Sequence, residues 1–236
     1  MDIIPTSLVL RCQSVFSEII ARLANLSFSE GRFPGKFKQA SVTPLLKGRS
    51  LDKSLPSNYR PISNLNFISK VLERLFLSRF QPHILGSSNF NRYQSAYRPG
   101  CSTETALQLL LNRIYSMSDE GRPILLVSLD LSAAFDMVDQ ATLLKRLSCS
   151  FGVSGVVHSW IESYLYCRTQ SVRMGSHSSA VTPCMHCWCT PRIRPWATTL
   201  LCLHFPTVHH CSVPPGPSAA VCRRYATLCR SVTPKL

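Results

Sequence analysis

A carboxylate ends a strongly apolar run in the stretch LLVSLDLSAAFDMVD, residues 125–139. Asp130 closes the run, Phe135 comes five residues later, and Asp136 and Asp139 follow. Mg²⁺ prefers such hard oxygen ligands and commonly takes one or two carboxylates plus substrate phosphates. Nucleotidyl transfer uses two such ions, so the stretch is compatible with half of a two-metal site. An aspartate at a strand end is also a common capping residue, and the pattern alone does not separate the two interpretations.

The elements around Asp130 are predicted from hydrophobic patterning. The segment RPILLVSLD (122–130) predicts a buried strand that would hold Asp130 at its carboxyl end. A third helix is predicted after Ser102 or Thr103, either of which can cap it, with Glu104 favourable in its first turn. Other helices are predicted over about 8–26, 64–80, 140–148 and 155–166.

Two further β segments complete the predicted secondary structure. ASVTPLLK (40–47) predicts a short strand broken by Pro44, and the polar stretch 48–61 after it predicts a loop. RTQSVRMG (168–175) alternates as a strand does. This mixture of helices and non-adjacent strands predicts an α+β domain.

The net charge of +14 suggests a polyanionic partner, since clustered Lys and Arg neutralise phosphates. Its distribution weakens that inference, because residues 163–236 contain eight basic residues and no acidic one. More than half of the net charge therefore lies in that segment. No window of eighteen apolar residues and no signal-peptide pattern occurs. We therefore expect a soluble intracellular protein without disulfides, in the nucleus or the cytoplasm.

Five blocks of the sequence, in one order over residues 4–181, carry a family resemblance. They are FPGKFKQASVTPLLK, NYRPISNLNFISKVLERL, YQSAYRPGCSTETAL, LLVSLDLSAAFDMVDQATLLKRL and FGVSGVVHSWIESYLYCRTQSVRMG. In them the chain resembles the reverse transcriptase domain of LINE-type (non-LTR) retrotransposons. The resemblance implies an RNA-directed DNA polymerase with a right-hand fold, Mg²⁺ as cofactor, and an RNA template and a DNA primer as partners. It also implies that the chain starts inside the pre-fingers region and is truncated at its front.

The resemblance also assigns site residues. Asp130 would be the first metal-binding aspartate, and the backbone carbonyl of Leu131 would bind the same ion. Phe135 would be the aromatic floor of the nucleotide pocket, and Arg98 in YRPG a fingers residue near the incoming triphosphate. Without the resemblance, Phe135 reads as a core aromatic and Arg98 as a solvated arginine. Asp136 and Asp139 are not metal ligands in the family and are expected to orient the next helix N-terminus.

The second half of the expected site is missing. In the family a glycine-rich block, GVPQGSVLGPLLF, should follow the RTQSV strand, and a YADD block should supply the second pair of aspartates. Neither occurs, and no Asp or Glu follows Glu162.

The missing blocks can be written in a displaced reading frame. Trp188 and Trp196, each encoded only by TGG, stand eight codons apart, as do the first and last glycines of GVPQGSVLG. With suitable wobble bases, WCTPRIRPWATTLL reads from its second nucleotide as GVPQGSVLGPLLF, and AVCRRYATLC reads as QYADDTQLY. Arg223 and Arg224 then lie where GAC GAT would encode the catalytic aspartates. We therefore hypothesise that one insertion or deletion near residues 183–187 shifted the frame.

The predicted organisation has three parts: pre-fingers and fingers (1–120), a partial palm with the first catalytic strand (121–182), and an out-of-frame, disordered tail (183–236). Such a fragment is expected to be catalytically inactive. The alternatives are a non-catalytic basic module that binds RNA or RNA–DNA, and a non-functional pseudogene product. The tail's CMHCWC with His204, His209 and His210 invites a zinc interpretation, but no second pair has metal-ligand spacing, so zinc is not expected.

Overall fold

Helices and strands alternate in an α+β arrangement in the computed structural model, which describes residues 6–96, 98–128 and 138–184. The helices are α1 (Thr6–Arg11), α2 (Gln13–Ser29), α3 (Phe67–Gly86), α4 (Thr103–Asp119), α5 (Gln140–Phe151) and α6 (Gly155–Leu165). The strands are β1 (Gln39–Leu46), β2 (Tyr59–Leu65), β3 (Thr169–Met174), β4 (His177–Ser178) and β5 (Thr182–Pro183). The α+β class is thus as predicted. No helix in the described ranges is long and apolar enough to cross a membrane.

The sheet is organised around β1. This strand pairs antiparallel with β2 along its whole length and parallel with β3 over its first residues, Gln39 to Val42. The strands β4 and β5 both pair antiparallel with β3. Pro44 lies opposite Pro61, in the part of β1 that has no β3 neighbour, so its missing N–H costs no hydrogen bond there. The predicted break at Pro44 is therefore wrong, and so is the predicted loop over residues 59–61.

The core lies where α2, α3, α5 and α6 meet. Trp160 of α6 is its centre, with the ring of Phe76 stacked on it at 3.9 Å between centroids. The indole Nε1 of Trp160 donates to Ser27 Oγ at 2.9 Å, so its polar edge is satisfied inside the core. The other large, fully buried side chains are Leu72, Ile84, Leu143, Leu147, Ile161, Tyr164 and Leu165.

One group of polar side chains is buried in this core. Glu73 is 1% exposed and accepts a hydrogen bond from the hydroxyl of Tyr164. Arg168 is 2% exposed and donates through Nη1 to the Tyr164 carbonyl at 2.8 Å. Desolvation by burial raises the pKa of Glu73 to about 7, against the opposing effects of the Tyr164 bond and the charges of Arg168 and Lys70.

The helices around the predicted site match the sequence prediction. Ser102 caps α4 in a reciprocal capping box with Thr105, and Glu104 lies in the first turn, as predicted. The predicted helices over 140–148 and 155–166 are α5 and α6, and the predicted strand over 168–175 is β3. The helix predicted over 64–80 begins later and continues to Gly86 as α3.

The prediction of a buried strand is wrong for residues 122–128. These residues form neither helix nor strand, and Leu125 is 82% exposed. A buried strand needs ladder partners, and in the described sheet β1 and β3 pair with β2, β4, β5 and each other. The apolar run therefore has no described strand beside it.

The predicted first helix is interrupted, and it buries a different face from the one predicted. Cys12 separates α1 from α2 with a non-helical ψ of 38°. Val15 and Ile19, on the predicted inward face, are 61% and 57% exposed, whereas Ala24 and Ser27 are buried. The face that packs is therefore set by the close approach of α6, where Ser27 receives the Trp160 bond.

Candidate functional site

Arg98 lies in the connection between α3 and α4. Its backbone N–H donates to the Ser95 carbonyl at 3.4 Å, and its own carbonyl accepts from the N–H of Cys101 at 3.1 Å. Its side chain is half-buried and donates through Nη1 to the Arg92 carbonyl at 3.1 Å. The loop thus fixes the direction of a guanidinium group whose remaining N–H groups are available to a ligand.

Two more arginines gather beside Arg98 around the ring of Tyr93. The guanidinium carbon of Arg92 lies 5.2 Å from the ring centroid, and that of Arg113 lies 4.7 Å from it. Arg113 also donates through Nη2 to the Tyr93 hydroxyl at 2.6 Å. These distances are those of cation–π contacts. We call Arg92, Arg98 and Arg113 with Tyr93 the arginine cluster.

The arginine cluster is held by a helix as well as by a loop. Arg113 is on α4, whose start is fixed by the Ser102–Thr105 capping box, so the helix brings one guanidinium to the loop that carries the other two. In the described ranges the ion pairs involve Arg22 and Arg122, and none involves the arginine cluster. Three cations that form no ion pair with a described residue favour a phosphate-bearing ligand.

Of the arginine cluster, the sequence prediction included Arg98 alone. Arg92, Tyr93 and Arg113 were missed because the first two read as a polar loop and Arg113 as a solvated helix position. An available signal was the Arg92–Tyr93 pair, since an aromatic ring beside an arginine is a common feature of nucleic-acid-binding surfaces. The contact with Arg113, twenty positions away, has no local signal.

Most of the predicted catalytic residues lie outside the described residues. This holds for Asp130, Leu131, Phe135 and Asp136. Asp139 is described, and its Oδ2 accepts from the Thr142 N–H at 2.7 Å at the start of α5. Its predicted role, orienting the N-terminus of the following helix, is confirmed.

The described residues do not provide a metal site. They contain no group of three or more His, Cys, Asp or Glu side chains that could hold an ion. In the sequence, Asp130 has no carboxylate after Glu162 to share an ion with. The described residues therefore contain no two-metal centre, which needs carboxylates from two places in the chain.

Comparison with known proteins identifies the family of residues 47–184. The sequence profile described as "Reverse transcriptase (RNA-dependent DNA polymerase)" matches residues 47–184. The chain is 32% identical over 141 residues to a putative 115 kDa protein in type-1 retrotransposable element R1DM of Drosophila melanogaster, covering 58% of this chain and 13% of that protein.

Two further relatives come from the same organism. The chain is 30% identical over 132 residues to a probable RNA-directed DNA polymerase from transposon BS, covering 55% of this chain and 14% of the relative. It is 25% identical over 166 residues to the RNA-directed DNA polymerase from mobile element jockey, covering 70% of this chain and 18% of that relative. The chain thus spans less than a fifth of the length of each of these relatives. Since the profile covers more than half of it, the chain belongs to the reverse transcriptase (RNA-dependent DNA polymerase) family, as a domain of the non-LTR retrotransposon kind.

Proposed function

We propose that this chain is a reverse transcriptase fragment, with fingers and the first part of a palm, that has lost nucleotidyl transfer. One observation carries the proposal: residues 163–236, where the family's glycine-rich and YADD blocks are expected, contain no Asp or Glu, so this segment does not supply the second pair of catalytic aspartates. The family is metal-dependent, typically with Mg²⁺. Asp130 alone cannot hold two ions in the arrangement that two-metal catalysis requires.

A shifted reading frame accounts for this loss. The match to the family profile ends at residue 184, inside the interval 183–187 where the frame change is hypothesised. Beyond it, Arg223 and Arg224 lie where the displaced frame, with suitable wobble bases, would encode the aspartates. The agreement in position supports the frameshift, and the nucleotide sequence of codons 180–236 tests it directly. Codons that cannot be read as the two blocks would refute it.

Primer extension tests the proposed inactivity. The present chain, with homopolymer template, primer and Mg²⁺, is expected to give no synthesis above background. A gene variant whose frame is restored near codon 185, so that the tail reads GVPQGSVLGPLLF and QYADDTQLY, is the matched comparison. Any synthesis that it gains should disappear with Asp130→Asn. Synthesis by the present chain that Asp130→Asn abolishes would contradict the proposal.

A second candidate function is favoured by the arginine cluster. We infer that the fragment binds RNA or an RNA–DNA duplex without chemistry, with the three guanidinium groups on phosphates. The fixed side chain of Arg98 and the stacked positions of Arg92 and Arg113 lower the entropy lost on binding. Tyr93 adds an aromatic face next to these cations.

A salt series distinguishes this function from unspecific attraction. Filter binding of single-stranded RNA should show affinity that falls steeply with salt, and replacing Arg92, Arg98 and Arg113 by Gln should reduce the slope by about 2. The control replaces Arg22, Arg74 and Arg122, three exposed arginines outside the cluster, and changes the net charge equally. Equal slopes in the two triple variants would contradict a specific role of the cluster.

A further inference from the structure

A cavity of about 380 Å³ opens between α2, α3 and the start of α6, apart from the arginine cluster. We call it the aromatic cavity. It is lined by Phe28, Phe76, Arg79, Phe80, His83, Gly152, Val153, Ser154, Val157 and Trp160. Its size is in the range of sites that hold small organic molecules.

The walls of the aromatic cavity are mostly apolar. Phe76 and Trp160 are buried and stacked nearly parallel, with an angle of 8° between their planes. Phe28 stands edge-on to Trp160, with 5.6 Å between centroids. Because these rings also belong to the core, the cavity is formed before any ligand enters. Phe76 and Trp160 are only 7% and 1% exposed, so a ligand would contact mainly the more exposed apolar lining side chains, Phe28 and Val157.

Positive charge lies at the rim of this cavity. The guanidinium carbon of Arg79 is 5.5 Å from the centroid of Phe28, which holds the cation above the aromatic wall. In the described ranges Arg79 forms no ion pair, and no Asp or Glu lines the cavity. An aromatic cavity with one unpaired cation at its opening favours an anion whose body is apolar.

The start of α6 strengthens this preference, and a hydrogen bond holds one side chain of the lining in place. The helix α6 begins at Gly155, and the hydroxyl of Ser154, its capping residue, forms no capping bond. The N–H groups of the first turn are therefore free of a side-chain acceptor, at the positive end of the helix dipole. His83 Nε2 is 2.7 Å from the Phe151 carbonyl, a bond that fixes the imidazole at the cavity wall.

We propose that the aromatic cavity is a binding site for a small aromatic monocarboxylate. Its ring system lies against Phe28 and Val157, and its carboxylate accepts hydrogen bonds from Arg79 at the rim. This site is independent of polymerase chemistry, since none of its residues belongs to the arginine cluster or to the predicted catalytic set.

Anthracene-9-carboxylate is a suitable probe, with its neutral amide as the comparison. The chain has three tryptophans, so replacing Trp188 and Trp196 by Phe leaves Trp160 as the sole indole. Energy transfer from Trp160 to the anthracene ring then reports binding beside the cavity wall. In this background the carboxylate should bind about tenfold more tightly than the amide, the ratio expected for one charge-assisted hydrogen bond.

Two variants and one control decide the proposal. Arg79→Gln should abolish the preference for the carboxylate, and Val157→Phe, which fills the cavity from a half-exposed position of the lining and keeps Trp160 the sole indole, should weaken the binding of both probes. Arg74→Gln, an exposed arginine on the same helix outside the lining, should leave both affinities unchanged. Circular dichroism verifies that each variant is folded. Equal affinity for carboxylate and amide, or binding unaffected by Val157→Phe, would overturn the proposal.

Discussion

Glu73 is a carboxyl group enclosed by the core, and its protonation is coupled to folding. One oxygen accepts the Tyr164 hydroxyl bond, while the other, Oε2, has no hydrogen-bond partner in the described structure. The Nε and Nη2 atoms of Arg168 are likewise buried without a hydrogen-bond partner in the described structure. Charging Glu73 leaves a carboxylate without full hydrogen bonding in a dry environment, so the neutral form is favoured up to a pH of about 7.

The stability of the chain should therefore fall as pH rises from about 4.5 to about 7. The folded state, in which the pKa of Glu73 is about 7, holds a proton that the unfolded state releases near its ordinary value of 4.5. Between these values the unfolded state binds fewer protons, and the free energy of unfolding decreases by up to about 1.4 kcal/mol per pH unit. Urea unfolding across this range should show the loss.

Replacing this carboxyl by an amide isolates its contribution. Glu73→Gln should remove the pH dependence that Glu73 causes and be more stable than the natural chain above pH 7, because an amide has no charge to desolvate. Glu104→Gln, at an exposed position in the first turn of α4, is the control and should keep the slope. An unchanged slope in the Glu73 variant would mean that other groups cause the dependence.

At the scale of elements, the contact between α2 and α6 depends on a glycine. Gly31 has φ of +64°, and a Cβ placed there would lie 2.9 Å from the Val156 carbonyl oxygen. Gly121 has nearly the same φ, +67°, but open space around it. A residue with a Cβ would therefore strain the backbone at both positions, but it would clash with a neighbour only at Gly31.

Alanine at these two positions should separate strain from contact. Gly121→Ala should lower the free energy of unfolding by about 1 kcal/mol, the cost of a left-handed backbone for a residue with a Cβ. Gly31→Ala should lower the free energy of unfolding by about 1–3 kcal/mol more than Gly121→Ala, since the Val156 carbonyl of α6 must move away from the new Cβ. Urea midpoints measure both. Equal losses of unfolding free energy in the two variants would show that α6 can move away from Gly31 without a cost in stability.

Element types followed from the sequence where local signals were sufficient. Ser102, with Thr105 and Glu104 after it, determines the start of α4 without help from the rest of the fold. β2 was missed because its residues, with Pro61 among them, resemble a loop until β1 pairs with them. The apolar run over 124–127 was predicted as buried. Hydrophobicity favours burial, but it does not specify which strand would pair with the run.

The same distinction applies to the candidate site. Asp139 was predicted correctly because an N-cap is a local interaction. The arginine cluster depends on the packing of α4 against a loop, which local composition does not encode. The roles of Asp130, Leu131, Phe135 and Arg98 in catalysis, and the three-part domain division, stay predictions.

On the scale of the whole molecule, apolar surface is left uncovered on one part of the chain. Helix α4 buries none of its side chains, and Leu107, Leu111 and Tyr115 on it are exposed. The run from Ile124 to Val127 is exposed as well and has no strand partner. Such a run combines strand propensity with apolar side chains and lacks charge, which are the properties of a self-associating segment.

We therefore expect the chain to self-associate through residues 124–127. Leu125→Lys should lower the rate of light-scattering increase on warming several-fold, since a charge in the run opposes pairing between copies. Leu8→Lys is the matched control, because it makes the same chemical change at another exposed leucine, on α1. Because both variants gain one positive charge, a change in overall repulsion would affect them alike. Equal protection by the two would attribute association to net charge, whereas protection by Leu125→Lys alone locates it in the run that precedes Asp130.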